Sequence, residues 1–109
     1  MRKFEIYRTK NGQYSFRLKL SNGQIVLASE MYTTKQSCIN GIQSVKINSQ
    51  LDKRFKREAS KNGSYYFNLI ASNNEVIGTS EMYSSKSGLE NGIYAVKEYA
   101  SGADVLDLT

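Results

Sequence analysis

The sequence predicts an α+β protein assembled from two copies of one β-β-β-α unit. Two observations carry this. Shifted by 51 residues, the chain matches itself without a gap: positions 4–50 against 55–101 give 19 identities in 47. Within each copy the apolar period then changes from two, the period of a strand, to the 3.6 of a helix. Repeats of this kind set the architecture before any local assignment does.

The identities cluster. Lys10-Asn11-Gly12 recurs as Lys61-Asn62-Gly63, Ser29-Glu30-Met31-Tyr32 as Ser80-Glu81-Met82-Tyr83, and Asn40-Gly41-Ile42 as Asn91-Gly92-Ile93. In the first copy Phe4–Arg8 is a strand candidate, and Asn11-Gly12 is a hairpin dipeptide, read as a type I′ turn with two left-handed residues. Residues 14–20 alternate strictly. Tyr14, Phe16, Leu18 and Leu20 share one face, while Ser15, Arg17 and Lys19 share the other. Asn22-Gly23 marks a second turn. Its counterpart Asn73-Asn74 replaces the glycine with a residue that tolerates the left-handed region, which puts the tightness of that turn in question. Residues 24–29 form the third strand.

Thr33-Thr34 and Ser84-Ser85 are N-cap candidates for the helices that follow. Cys38, Ile42 and Val45 recur at helical spacing, as do Leu89, Ile93 and Val96; Ile47 falls off the stripe. Residues 103–108 read as a short final strand. The matching place after the first helix, Asp52–Phe55, runs on into the second copy. The units are thus 1–51 and 52–109. One unit of about 50 residues has a marginal core. Two related by a pseudo-twofold would cover each other, giving one integrated domain with two meandering antiparallel sheets and two helices.

The tandem Asn-Gly hairpins, the Ser-Glu-Met-Tyr segment, the helix carrying Asn-Gly-Ile-x-x-Val-Lys and the terminal Asp-Leu-Thr resemble the YegP-like family of small bacterial proteins. The resemblance runs through both copies. It implies two β3-α-β units, a barrel-like sheet and exchanged C-terminal strands, with residues 103–108 the exchanged strand of the second unit. It implies no catalytic residues, since the family is a domain of unknown function.

Composition bounds the chemistry. The 109 residues hold no histidine and one cysteine, Cys38. The commonest general base and metal ligand is therefore missing, and one thiol builds neither a disulfide nor a zinc site. Cys38 has Leu89 as its counterpart and reads as a small core hydrophobe. No glycine-rich phosphate loop is present. Neither a leader nor a membrane span is expected, and a lone cysteine fits a reducing cytoplasm. No cofactor and no metal are expected. Glu30 and Glu81 are the acids retained in both copies; they suit either a carboxylate pair or the start of a helix. Gly41 and Gly92 sit mid-helix at a cost of about 1 kcal/mol each, which predicts close approach by the sheet or the partner helix.

Charge divides unevenly. Of the net +5, residues 1–50 carry eight Lys/Arg against two acids, and residues 51–109 seven against eight. A small cytosolic binding or structural module, not an enzyme, follows from the missing chemistry, with a protein partner or self-association as its mode. The alternative is nucleic-acid binding through a basic sheet face made of Arg8, Lys10, Arg17 and Lys19 and extended by Lys53, Arg54, Lys56 and Arg57.

Overall fold

The computed structural model describes residues 2–109. The order is β1 (Lys3–Arg8), β2 (Tyr14–Lys19), β3 (Ile25–Ala28), α1 (Lys35–Asn48), a 3-10 turn (Asp52–Arg54), β4 (Phe55–Ala59), β5 (Tyr65–Ile70), β6 (Val76–Thr79), α2 (Lys86–Tyr99) and β7 (Asp104–Asp107). The α+β class and the duplication hold. The seven strands form one mixed sheet in the order β4-β5-β6-β3-β2-β1-β7.

The barrel expectation is corrected: this sheet stays open, with β4 at one edge and β7 at the other. Nor are there two sheets. The two meanders join where β3 and β6 meet antiparallel at Ala28 and Thr79, so the pseudo-twofold passes through that seam. Closing the sheet would require β4 to pair with β7, and among the described residues no such pairing forms.

The alternation in β2 works as read. Phe16 and Leu18 are fully buried toward the helices, with Phe4 and Ile6 beside them from β1. Phe55, Phe67 and Leu69 repeat the arrangement in the second unit. Both helices cover this one face. The stripe Cys38, Ile42, Val45 and its counterpart Leu89, Ile93, Val96 enter a single core, while Ile47 is 69% exposed. Thr34 and Ser85 cap the helices, accepting from the amides of Ser37 at 3.1 Å and Gly88 at 3.0 Å. Each helix also crosses the seam: α1 packs on β2 and on β5 and β6 of the other unit, and α2 on β5 and on β3.

The seam explains one break in the repeat. Leu27 is fully buried at the join, and Gly78 occupies its shifted position. A Cβ at Gly78 would lie 2.7 Å from Leu27 Cγ. One leucine fills the space at the axis, and there is no room for two.

Two expectations change in detail. The hairpins are not type I′ turns: Gly12 and Gly63 have φ of 81° and 84°, while Asn11 and Asn62 are not left-handed. Gly12 N–H donates to Thr9 at 3.0 Å and Thr9 N–H to Gln13 at 2.9 Å, a turn closed by one left-handed glycine. The Asn73-Asn74 turn is as tight as its counterpart, since Asn74 adopts φ 70° where Gly23 has 87° and the closing bonds match at 2.9 Å.

The mid-helix glycines do meet a close neighbour, but it is neither the sheet backbone nor the other helix. A Cβ at Gly41 would lie 2.5 Å from Tyr32 Oη, and one at Gly92 would meet Tyr83 Oη closer still. These tyrosines end the two Ser-Glu-Met-Tyr segments. Each is pinned by backbone pairing to the start of a strand, Tyr32 to Tyr14 and Tyr83 to Tyr65. The two retained motifs are thus halves of one contact. Burial raises the pKa of both phenols, and Tyr83 Oη is buried without a hydrogen-bond partner.

Candidate functional site

The molecule has two outer edges, and they differ in what covers them. At the first, β7 runs parallel to β1, with Phe4 opposite Val105, Glu5 opposite Leu106 and Ile6 opposite Asp107; Leu108 N–H donates to Ile6 O at 2.8 Å. Asp107 reaches across to α1, where Lys35 Nζ stands 2.9 Å away. Its carboxyl is held well below the ordinary carboxylate range by the Thr109 hydroxyl first and by Lys35 second. Cys38 lies beneath, fully buried, its thiol pushed up to about 11 by burial, with the Asp107 charge adding to it. A neutral, inaccessible thiol is not a nucleophile.

At the second edge, among the described residues, no strand covers β4. The cause is chain connectivity. Applied to β7, the 51-residue shift gives residues 53–56. Those residues are already committed to the 3-10 turn and to β4 itself, the counterpart of β1. One stretch of backbone cannot be both the edge strand and its neighbour, so the position beside β4 stays vacant.

A cleft of about 330 Å³ lies there, lined by Arg57, Glu58, Ala59 and Tyr65 and, from α2, by Lys86, Leu89 and Glu90. Sequence differences open it further. In the first unit the Arg8 guanidinium lies 5.0 Å over the Tyr14 ring and donates to its hydroxyl at 2.9 Å. In the second unit Ala59 stands in place of Arg8, and Tyr65 lines the cleft. Lys86 is the counterpart of Lys35, but among the described residues it makes no ion pair. Arg57 is engaged, bonding both oxygens of Glu90 at 2.7 and 3.0 Å and Asp52 at 3.2 Å. Its hydrogen bond lowers the pKa of Glu90.

The residues of the basic-face alternative fall into two separate groups. Arg17 and Lys19 share the uncovered sheet face as read, but both converge on Glu5, at 2.8 and 3.3 Å, with Lys3 at 3.9 Å. Arg17 also stacks 4.5 Å over Tyr7. Glu5 is buried under them, its pKa lowered chiefly by the Arg17 hydrogen bond. Arg8 is taken up by Tyr14, and Lys10 is exposed in its turn. Lys53, Arg54, Lys56 and Arg57 lie at the β4 end, four strand spacings or about 19 Å from β2. Lys53 and Lys56 are exposed. Arg54 is half-buried with its Nε unpartnered, beside a shallow cleft of about 530 Å³ between α1 and the turn after β5.

Glu30 and Glu81 do not form a pair. They follow antiparallel neighbours in opposite directions from Ala28 and Thr79, about 13 Å apart along the strands. Glu81 instead accepts from Gln24 of the other unit at 2.8 Å. Among the described residues, no three acids, cysteines or histidines are grouped to hold a metal.

Against known proteins, the family described as "Domain of unknown function (DUF1508)" matches twice, over residues 9–55 and 60–107. The chain belongs to the DUF1508 family. DUF1508 relatives extend over nearly its whole length. A UPF0339 protein of Shewanella oneidensis is 44% identical over 97% of this chain and 96% of its own. YegP of Escherichia coli K12 is 41% identical over 97% and 96%. The solution structure of Escherichia coli YegP, a protein of unknown function, superposes with a TM-score of 0.94 at 40% identity, covering 99% of this chain and 93% of that one. These relatives are named only as uncharacterised proteins, which gives no sign of an enzymatic activity. Among the described residues no helix is long and apolar enough to cross a membrane.

The β4 cleft and Lys86 were not singled out from sequence. A signal existed: Arg8 becomes Ala59 while Lys35 is retained as Lys86, so one wall of the site is lost and its cation is kept.

Proposed function

We propose that this protein is a non-enzymatic binding module of the cytosol that engages a partner along the open edge of β4. The observation that carries the reading is the vacant strand position: the same fold fills it at β1 and leaves it free at β4, above a cleft. An uncovered strand edge presents backbone donors and acceptors that an extended partner satisfies. The missing histidine and the buried Cys38 support a role without catalysis.

The test is selection of random peptides on the full chain, with the amide signals of the labelled protein used to locate each hit. Peptides that move Phe55–Ala59 support the reading. Hits confined to other surfaces, or none, overturn it.

The nucleic-acid alternative rests on Arg17 and Lys19 beside Tyr7 on the uncovered face. It expects affinity for duplex or single strands that falls steeply with salt. Three cations sharing Glu5 make that face a poor phosphate track, so the edge reading is preferred.

A further inference from the structure

We propose that the segment taken up by the β4 edge is an extended strand running parallel to β4, with an acidic side chain opposite Arg57 that pairs with Lys86. The inference rests on the edge reading above and names the chemistry of its partner.

The fold contains its own template. β7 on β1 shows which backbone direction, which register and which side chain this kind of edge accepts. Carried over by 51 residues, the residue in the place of Val105 lies opposite Phe55, that of Leu106 opposite Lys56, and that of Asp107 opposite Arg57. Ile6 turns its carbonyl to the edge, where Leu108 N–H meets it. Its counterpart Arg57 therefore turns its backbone to the open side, because the N–H and C=O of one strand residue point the same way. The lysine that holds the template acid, Lys35, is retained as Lys86 and is exposed. Arg57 is already engaged by Glu90 and Asp52, which leaves Lys86, unpaired among the described residues, as the cation to donate to the acid.

The floor differs from the template and sets a preference. Leu89 replaces Cys38, and Glu90 replaces Ile39. The partner segment is thus a strand of another protein in which an acid is flanked by apolar residues, as in Leu106-Asp107-Leu108. The acid sits over Lys86, with Glu90 one turn further along α2 and already engaged by Arg57.

The probe is the peptide Ala-Asp-Val-Leu-Asp-Leu-Thr, the chain's own residues 103–109, N-acetylated and titrated into the isotope-labelled full chain. Saturable shifts of Phe55–Ala59 and Lys86, with Lys3–Arg8 unmoved, are expected. A paramagnetic tag on the peptide's N-terminus should broaden Phe55 more than Ala59, which reports the parallel direction. Replacing the fifth residue by lysine should weaken binding about two- to fivefold, the range of an exposed ion pair. The Lys86→Glu variant should restore binding of the lysine peptide and weaken the original.

Shifts at Lys3–Arg8 instead would mean exchange with β7 and would overturn the proposal. So would β4 shifts indifferent to the charge swap, although these would leave the edge a binding surface. So would failure of this peptide where selected peptides still bind β4. Failure of all peptides would remove the edge reading as well. A concentration-dependent dimer mapped to β4 would make the occupant a second copy and overturn the proposal.

Discussion

β1 and β4 hold the same place in the repeat and live in different surroundings. In β1 Phe4, Glu5 and Ile6 are buried, and the strand carries β7. In β4 only Phe55 is buried, and among the described residues no strand pairs with its outer side. Ile6, covered and apolar, becomes Arg57, exposed and ion-paired. Sequence follows occupancy: where the neighbour strand is lost, charge replaces carbon, as is expected of an edge kept from indiscriminate pairing. Against that trend Lys86 is kept and Arg8 is lost, the pattern that the proposed partner strand would use.

The comparison is broken most severely by removing β7. Ending the chain after Gly102 takes away Ala103, which is buried, and uncovers the Phe4, Ile6 and Cys38 side of the core. Re-exposing the equivalent of two apolar side chains should cost about 4 kcal/mol in denaturant unfolding. Cys38 should then react with a thiol reagent that leaves the intact chain unmodified. Unchanged stability would mean that β7 is an ornament and the template argument void.

The seam offers a sharper cut. Gly78→Leu makes the halves more alike and should destabilise the fold by about 2 kcal/mol through overpacking on Leu27. Exchanging the pair, Leu27→Gly with Gly78→Leu, should recover more than half of that loss. If the double variant is no better than the single one, the two positions do not share one space.

Next come the helix glycines. Gly41→Ala and Gly92→Ala should each lower stability by about 1–2 kcal/mol despite alanine's better helix propensity. Adding Tyr32→Phe to the first should return part of the loss, because the hydroxyl is what the new methyl meets. A gain in stability from either single change would disprove the contact.

The smallest effect is electrostatic. Asp107 has a folded pKa below its ordinary value of about 3.9. Its contribution is therefore fully present above that range and lost only as pH falls below it, toward the depressed folded value. Amide exchange in β7 should quicken in that acidic window, and Asp107→Asn should flatten the response there. At β4 the acidic response should instead follow Glu90, whose pKa the Arg57 hydrogen bond lowers, and the Phe55–Ala59 amides should be insensitive to Asp107→Asn.

Much of this was legible in the residues, and the places where reading failed have physical causes. Strand alternation and helix stripes are local periodicities, so Phe16, Leu18, Ile42 and Ile93 read correctly as core. Caps are local as well, and Thr34 and Ser85 do what their hydroxyls predict. Gly41 predicts a close neighbour without predicting which, because the tyrosine that crowds it lies nine positions earlier and arrives through strand pairing. The basic residues looked like one patch in a list. Their separation depends on sheet order, and the pairing of Arg17 and Lys19 depends on Glu5, a buried acid that alternation places on the same face without revealing that three cations close over it.

What the sequence determined by itself is the unit: its three strands, its helix, its caps and its doubling, because each follows from contacts between near neighbours and from a self-match that needs no coordinates. What only the tertiary structure decided is how the units join and what their edges keep. Whether the sheet closes, which leucine occupies the axis and which edge lacks a strand are set by backbone competing for the same space over the length of the chain. That competition leaves β7 on β1, and β4 open.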